Sequence, residues 1–315
     1  MTIIAECLFC GSSNHVLRFR ASDRWHEVEG SYCVCQCLDC GLLFLDPQPS
    51  EDLLAAHYPS TYYSLQDNLP DQERDERLYE VFYGSKPNIF EKAGSLPYKP
   101  VLRTLVGDAG QRMLDVGCGA GHFLSIVKKV RGMEAFGVEP YPFNRSLADK
   151  ENLNIYNGSL PDAAFPADFF DVVTLNHVFE HMANPRSTLC ELKRILKPGG
   201  SLVIGVPQSS CLLYWLFGRC WKQLDVPRHL FIPSSKNLKN LVEDAGFHVK
   251  RIRYNSMPSS ILGTLFYRMN DIFGRRRYLH QFKENKFPFF VVLPLAYLLN
   301  FLRLGDQIEI LATKN

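Results

Sequence analysis

The chain has 315 residues, a length that suggests two domains or one domain with additions. Apolar residues make up 46% and charged residues 22%, as in ordinary globular proteins, so a core of useful size can be buried. The 35 basic and 33 acidic residues leave a net charge of +2, which argues against a dedicated nucleic-acid binder, because such proteins are usually strongly basic.

The N-terminal segment carries six of the ten cysteines within 40 residues. It lacks a basic stretch followed by an apolar one, so we expect no secretory signal and a cytoplasmic location. In that reducing setting, clustered cysteines bind metal more often than they form disulfides.

The cysteine spacing predicts a zinc-ribbon domain over residues 1–46, because two Cys-x2-Cys pairs, each followed by glycine, suit a tetrahedral zinc held by four thiolates. The predicted ligands are Cys7, Cys10, Cys37 and Cys40. A metal with four protein ligands has no open position, so its role should be structural. Cys33 and Cys35 are left over, and one of them could replace a ligand.

Residues 47–97 are predicted to form a helical linker. Prolines mark a turn at 46–50, Ser50 suits a helix N-cap, and the acids that follow suit a first helical turn over 51–58.

From residue 98 to 315, short apolar strands alternate with helical patterns. The predicted strands are 112–116, 135–138, 153–156, 170–175, 201–206, 249–254 and 308–313. The predicted helices are 123–130, 146–150, 189–196 and 238–245. This alternation predicts an α/β fold with a doubly wound, Rossmann-like, seven-stranded sheet.

A glycine-rich turn joins the first of these strands to its helix, where glycines permit a tight turn and close approach of a ligand. Gly117, Gly119 and Gly121 form it, and Asp115 precedes it. Glu139 closes the next strand, where a carboxylate can accept hydrogen bonds from ribose hydroxyls. An acid beside the turn suits a cofactor that carries an ammonium group and disfavours a pyrophosphate, so the pattern favours S-adenosylmethionine over NAD.

Four motifs follow one another in order over roughly residues 98–255: LDVGCGAGHFL, VEP, FDVVTLNHVFEHMANP and LKRILKPGGSLVIGVP. In this order they resemble the class I S-adenosylmethionine-dependent methyltransferase family, in the branch of quinone-biosynthesis O-methyltransferases and surface-glycan enzymes. The cysteine pairs before them resemble those of bacterial methyltransferases with an N-terminal zinc-binding domain, some of which methylate sugars.

The resemblance implies a role for each motif. Asp115 and the three glycines line the methionine part of the cofactor, and Glu139 holds the ribose. Ser159 and Leu160 lie where family members contact adenine, although an acid is common where this chain has Ser159. Asn176 and His177 lie close to the transferred methyl group, Asn176 as a cofactor contact and His177 as a catalytic residue.

Residues 177–181 also fit the His-x-x-Glu-His pattern of one metallopeptidase class. On a helix, His177 and His181 would share a face and could bind zinc. The segment directly follows an apolar strand within the motif order, and no third ligand can be assigned. The favoured interpretation is that Glu180 and His181 belong to a helix and a pocket wall.

The acceptor side is predicted beyond the fifth strand, where α/β sheets bind ligands. His229 could act as a base, since its ordinary pKa suits neutral pH, or it could be a hydrogen-bonded pocket wall. Arg228 could hold an acceptor carboxylate or phosphate. The aromatic residues between 214 and 221 are expected to serve packing in preference to forming a platform on which a sugar ring stacks.

Residues 256–304 form an insertion between the last two strands. It contains the triplet Arg275, Arg276 and Arg277, followed by an uncharged run over 287–302. The run is shorter than the roughly 20 residues that span a bilayer. The insertion is predicted to roof the acceptor site or to contact a membrane surface through 275–302.

The sequence therefore predicts methyl transfer from S-adenosylmethionine to an oxygen or carbon of a small-molecule, sugar or lipid-linked glycan acceptor. No Asn-Pro-Pro-Tyr-like tetrapeptide follows the fourth strand, which disfavours an amino acceptor. Two alternatives stay open: an RNA methyltransferase whose zinc ribbon grips nucleic acid, and a non-catalytic scaffold.

Overall fold

A computed structural model describes residues 6–26, 28–58, 62–66, 72–83, 103–274 and 287–315. The arginine triplet at 275–277 and the predicted domain boundary at 97/98 lie outside the described residues. Within these ranges, eleven strands form two sheets.

The larger sheet has seven strands. These are β4 (Arg112–Val116), β5 (Glu134–Glu139), β6 (Asn154–Asn157), β7 (Phe170–Asn176), β8 (Leu196–Pro207), β10 (Phe247–Tyr254) and β11 (Gln307–Lys314). Their order is β10-β11-β8-β7-β4-β5-β6, with β11 antiparallel to both neighbours and the central strands parallel. The predicted seven-stranded doubly wound sheet is confirmed.

The smaller sheet has four antiparallel strands in the order β1-β2-β3-β9. The first three, β1 (His15–Ala21), β2 (Tyr32–Cys37) and β3 (Leu43–Leu45), come from the cysteine-rich segment. The fourth, β9 (Phe231–Ile232), comes from the loop beyond β8, so the cysteine-rich segment and the α/β region share one sheet. Sequence analysis did not foresee this, because a two-residue strand carries no periodic pattern.

The helices lie between and beside these strands. They are α1 (Glu51–Ala55), α2 (Gln72–Tyr83), α3 (His122–Arg131), α4 (Ser146–Lys150), α5 (Pro185–Ile195), α6 (Leu212–Phe217), α7 (Ser235–Asp244), α8 (Pro258–Phe273) and α9 (Phe287–Phe301). Short 3-10 turns occupy Tyr63–Leu65, Phe179–His181, Gly218–Cys220 and Lys222–Leu224.

Local sequence explains several of these boundaries. α5 begins after Asn184, whose side chain accepts a hydrogen bond from the Ser187 N–H at 3.1 Å, with proline at the first helical position. α7 is capped in the same way by Ser234. Residues 202–207 of β8 are all buried, as expected for a central strand covered on both faces.

Helix α9 forms part of the predicted insertion and lies against α8. Ala296 and Leu299 are buried, whereas Val291, Leu295 and Leu298 form an exposed apolar row at helical spacing. Among the described residues, none of the helices combines the length and the apolar character needed to cross a bilayer.

Candidate functional site

The glycine turn lies between β4 and α3. Gly119 has a φ of +56°, and a Cβ atom there would lie 2.1 Å from the Ser64 carbonyl oxygen, so only glycine fits. The Gly117 N–H donates to the Val138 carbonyl at 2.7 Å, which ties the turn to the end of β5. The turn thus stands at the carboxyl edge of the sheet, where open α/β sheets bind ligands.

Glu139 is the last residue of β5, and its carboxylate is fixed by backbone groups. One oxygen accepts from the Gly119 N–H at 2.9 Å and the other from the Tyr141 N–H at 3.1 Å. Burial raises the pKa of Glu139, while these two N–H groups favour its charged form. Each oxygen retains a second lone pair, so the fixed carboxylate can still accept from a ribose hydroxyl.

Asp115 lies in β4 and is almost fully buried. Its oxygens accept from the Thr174 hydroxyl at 2.6 Å and from an Arg103 N–H at 3.3 Å. Burial raises the pKa of Asp115, and the Arg103 guanidinium opposes that effect. Arg103 also stacks over Phe123 at 4.6 Å and is part-exposed. Sequence analysis missed Arg103, because it stands outside every motif.

Residues 62–66, from the predicted linker, cover the glycine turn. The Ala120 N–H donates to the Ser64 carbonyl at 2.9 Å. The His122 Nε2–H donates to the Gln66 carbonyl at 2.8 Å. A cofactor that approaches the turn must therefore contact or displace this segment.

The loop after β6 contains the predicted adenine contacts. Ser159 is exposed and Leu160 is buried. The Ser159 hydroxyl donates to an Asp162 carboxylate oxygen at 2.5 Å. Asp162 thus places a carboxylate three residues beyond the position where the resemblance implies an acid, and no sequence motif singled it out.

Asn176 ends β7, and His177 follows with a φ of +53°. This conformation is uncommon for a non-glycine residue and marks a strained position of the kind that clusters at functional sites. The His177 Nδ1 lies 3.3 Å from the Glu180 Oε1. Glu180 is fully buried, and although burial raises its pKa, the hydrogen bond from His177 contributes to a value below the ordinary one.

The metallopeptidase interpretation is not supported by the local backbone. His177 precedes a 3-10 turn (Phe179–His181), so it does not share an α-helical face with His181. Instead, His229 approaches from the loop before β9, and one potential ligand atom from each of Glu180, His181 and His229 lies within 4.8 Å of the other two. No sequence pattern indicates this cluster, because His229 is 48 residues beyond His181.

His229 is nearly fully buried. Its Nδ1–H donates to the Gln223 carbonyl at 2.8 Å, and its Nε2 lies 3.7 Å from the Glu180 Oε1. Burial, together with His181, lowers the pKa of His229 to about 4, despite the nearby carboxylates. The ring is therefore neutral at neutral pH, with its Nε2 lone pair towards Glu180.

Arg228 is buried and its guanidinium is saturated. Its N–H groups donate to both carboxylate oxygens of Asp23, to both of Asp225 and to the His57 carbonyl. These bonds use all five guanidinium donors. The arrangement argues against the predicted acceptor contact and makes Arg228 a tie between the cysteine-rich segment and the loop before β9.

An open cavity of about 580 Å³ lies beyond the end of β8, lined by residues that include Arg18, Ser209, Tyr214 and Trp215. Trp215 is 79% exposed. Trp221, in contrast, is buried and donates its indole N–H to Asp306 at 3.0 Å, so it serves packing. The predicted acceptor side therefore contains one tryptophan that packs in the core, Trp221, and one that is exposed, Trp215.

The four predicted cysteine ligands converge. Sγ–Sγ distances are 3.6 Å for Cys7 to Cys40 and for Cys10 to Cys37, and all four sulfurs lie within 4.8 Å of one another. A tetrahedral zinc with Zn–S bonds of ~2.3 Å implies sulfur separations of about 3.8 Å. The cluster is thus compatible with zinc, and Cys33 and Cys35 lie outside it.

Comparison with known proteins agrees with this geometry. A family model described as "Methyltransferase domain" matches residues 91–251, just over half of the chain. The ubiquinone biosynthesis O-methyltransferase of Cereibacter sphaeroides is 37% identical over 100 residues, covering 30% of this chain and 40% of that protein. The corresponding enzyme of Acinetobacter baumannii is 34% identical over 163 residues, covering 46% of this chain and 67% of that protein.

The fold is also found in the crystal structure of the 4+2 cyclase SpnF, with a TM-score of 0.50 and 17% identity over 85% of this chain and 97% of that chain. The chain belongs to the methyltransferase domain family and carries a class I S-adenosylmethionine-dependent methyltransferase domain. It spans only 37–44% of the length of the first curated relatives that it matches.

Proposed function

We propose that this protein transfers a methyl group from S-adenosylmethionine to an oxygen or carbon of a small-molecule acceptor. The observation that carries the proposal is the pair His177 and Glu180, which stands where β7 ends in a methyltransferase domain. The fold alone would not suffice, because a fold hosts many activities. The SpnF structure, titled as a cyclase, illustrates this.

The proposed cofactor site runs along the edge of β4, β5 and β6. Asp115 and the glycines at 117, 119 and 121 would face the methionine part, and Glu139 the ribose. Arg103 would offer its guanidinium to the methionine carboxylate, since it lies beside Asp115 and is part-exposed. The adenine contacts would be Ser159, Leu160 and Asp162.

When bound, S-adenosylmethionine supplies a methyl group on a positively charged sulfur, which a nucleophile attacks in line. Asn176 and His177 would border the acceptor, which Asn176 helps to orient. Glu180 accepts from the His177 Nδ1–H and leaves its Nε2 free to take a proton. His177 would take the proton of an acceptor hydroxyl at its Nε2 while that oxygen attacks the methyl group, so the products would be the methylated oxygen, the protonated His177 ring and a neutral thioether.

We assign the base to His177 in preference to His229, although both are predicted. The His177 side chain is 30% exposed and can meet an acceptor, whereas that of His229 is 5% exposed. The lowered pKa of His229, about 4, also makes it a weak base.

We propose a structural zinc in the cysteine cluster. Its support is the convergence of four thiols on two knuckles, in which the Gly11 and Gly41 N–H groups each donate at 2.9 Å to the carbonyl of the first cysteine. Four protein ligands leave no position for a substrate, so the zinc would hold the smaller sheet together.

For the acceptor, we propose a quinone-like, sugar or lipid-linked glycan molecule with a reactive hydroxyl. The names of the matched relatives support oxygen as the target. The exposed apolar row of α9 supports an acceptor presented at a lipid surface.

The decisive experiment is transfer of labelled methyl from S-adenosylmethionine into host extract, separated into lipid, glycan, sugar-nucleotide, RNA and protein pools. We expect label in a lipid, glycan or sugar-nucleotide pool, and none with His177→Asn. Label in RNA alone would replace the proposed acceptor with nucleic acid. No label, together with no cofactor binding by calorimetry, would favour a non-catalytic scaffold.

The lipid surface is tested separately by flotation with anionic liposomes. We expect the wild-type protein to float and a Val291→Glu/Leu295→Glu/Leu298→Glu variant to remain in the pellet fraction. A variant with three glutamate substitutions at exposed positions of another element is the control. If the wild-type protein does not float, the acceptor must be met in solution.

A further inference from the structure

We propose that Glu180, His181 and His229 bind a divalent first-row transition-metal ion beside His177. The binding site stands on its own geometry, whereas the role given to it below, holding the acceptor oxygen, rests on the proposed function. One potential ligand atom from each of the three residues lies within 4.8 Å of the others. No such site follows from the His-x-x-Glu-His pattern alone, because His229 comes from a distant loop.

Hydrogen bonds to backbone carbonyls set both imidazoles in the tautomer that ligates metal through Nε2. The His229 Nδ1 lies 2.8 Å from the Gln223 carbonyl, and the His181 Nδ1 lies 2.8 Å from the Arg228 carbonyl. A carbonyl only accepts, so each Nδ1 carries the proton and each Nε2 presents a lone pair. Metal-binding histidines are oriented by this same kind of second hydrogen bond.

The carboxylate in the cluster has few hydrogen-bond donors. Glu180 is fully buried, and its Oε2 accepts no hydrogen bond from the residues that the structure describes. Among the described residues, its Oε1 has one hydrogen-bond partner, the His177 Nδ1 at 3.3 Å. A buried carboxylate is costly unless a cation or donors offset its charge. The neighbouring Arg228 cannot do so, since all five of its N–H groups point elsewhere.

The distances within the cluster place the lone pair of the His229 Nε2 against the negative charge of the Glu180 carboxylate. The His229 Nε2 is 3.7 Å from the Glu180 Oε1, and the Asp225 Oδ2 is 3.9 Å from the same nitrogen. Two acceptors facing each other repel unless a proton or a cation lies between them. A metal ~2.0–2.1 Å from a nitrogen and a carboxylate oxygen separates them by about 3–4 Å, depending on the angle, which matches the observed distance.

The donor set selects the ion class. Two imidazoles and one carboxylate suit zinc, manganese, iron or cobalt, whereas magnesium and calcium prefer oxygen ligands throughout. Three protein ligands leave at least one open position. An acceptor hydroxyl bound there would lose its proton more readily, and that proton would pass to the His177 Nε2 while the oxygen attacks the methyl carbon.

The test measures metal in the full-length protein, with cobalt as the probe. The wild-type protein should bind two cobalt ions: one at the cysteine cluster, with a thiolate charge-transfer band, and one with only weak visible bands from nitrogen and oxygen ligands. His229→Gln should weaken binding of the second ion by at least 10-fold and leave the thiolate band unchanged. His248→Gln, at an exposed position of β10, is the matched control.

His181→Gln serves as a second variant in case the first one fails to fold, with circular dichroism as the check on both. One cobalt per wild-type chain, or two that persist in folded His229→Gln and His181→Gln, would overturn the inference. Methyl transfer by a protein with one ion would refute the metal site and leave the proposed function standing. A second ion without methyl transfer into any pool would support the metal site and refute the proposed function.

Discussion

The cysteine cluster and the cluster around Glu180 differ in how the chain assembles them. Each cysteine pair is local in the chain, and the sequence shows its spacing as two Cys-x2-Cys knuckles. The Glu180 cluster joins a 3-10 turn after β7 to a loop 48 residues later. Short spacing can therefore predict a candidate metal cluster from the sequence, whereas the groups around Glu180 come together only in the fold.

The two clusters should also fail differently. Loss of a cysteine should damage stability, because the proposed zinc would tie the two knuckles of the small sheet together. Loss of a residue near Glu180 should damage activity, because the surrounding sheet is large.

Cys37→Ser should lower the free energy of unfolding by on the order of 5 kcal/mol, since structural zinc contributes ~10–16 kcal/mol in isolated finger peptides. Chemical unfolding and metal content by mass spectrometry measure it. Cys33→Ser, in the same strand but outside the cluster, is the control, with an expected loss of about 1 kcal/mol or less. Equal losses of unfolding free energy in both variants would show that burial of the thiol, and not metal binding, explains the effect.

His177→Asn should reduce kcat by about 100- to 10,000-fold, the usual contribution of a general base. Asparagine tolerates the positive φ of this position, so the melting temperature should hardly change. Steady-state kinetics with an acceptor that the labelling experiment identifies measure the first effect, and a thermal melt measures the second. An active His177→Asn protein would show that the acceptor needs no base, as for some carbon nucleophiles.

Much of the fold could be predicted because the central strands are short apolar runs with glycine or proline boundaries. The predicted strand at 112–116 matches β4, and the one at 170–175 differs from β7 by one residue. The predicted helix at 189–196 began four residues late, because Asn184 and Pro185 carry its start in a stretch without apolar periodicity. Strand β9 could not be predicted, since its pairing with β3 is a tertiary contact.

The site was predictable where one motif contains it. The fixed Glu139 carboxylate beside the glycine turn is where the sequence placed it. Arg103 and Asp162 were missed because neither residue lies within one of the four motifs. Arg228 shows the opposite limit: its position beyond the fifth strand predicted an acceptor contact, but its guanidinium is buried against Asp225 and against Asp23, which is 205 residues away.

Asp23→Asn should break the tie between the two regions and cost about 3 kcal/mol at neutral pH, because it leaves Arg228 buried with one carboxylate. Burial raises the pKa of Asp23, but Arg228 and neighbouring donors lower it overall from 3.8 to about 2. The charged form therefore stabilises the fold above about pH 4, and this contribution is lost as the pH falls through 2. Urea unfolding of both proteins from pH 7 to pH 2 should show the difference narrowing; a constant difference would contradict this origin.

Glu139→Gln should weaken cofactor binding by about 10- to 100-fold, because a hydrogen bond to a charged group contributes ~1.5–3 kcal/mol. The amide also places a donor against one of the two N–H groups that now meet the carboxylate. Calorimetry with S-adenosylmethionine measures the loss, and Glu134→Gln, exposed at the start of the same strand, is the control. If Glu139→Gln binds as tightly as the wild type, the ribose lies elsewhere, and the segment over the turn at 62–66 becomes the first place to look for a different cofactor path.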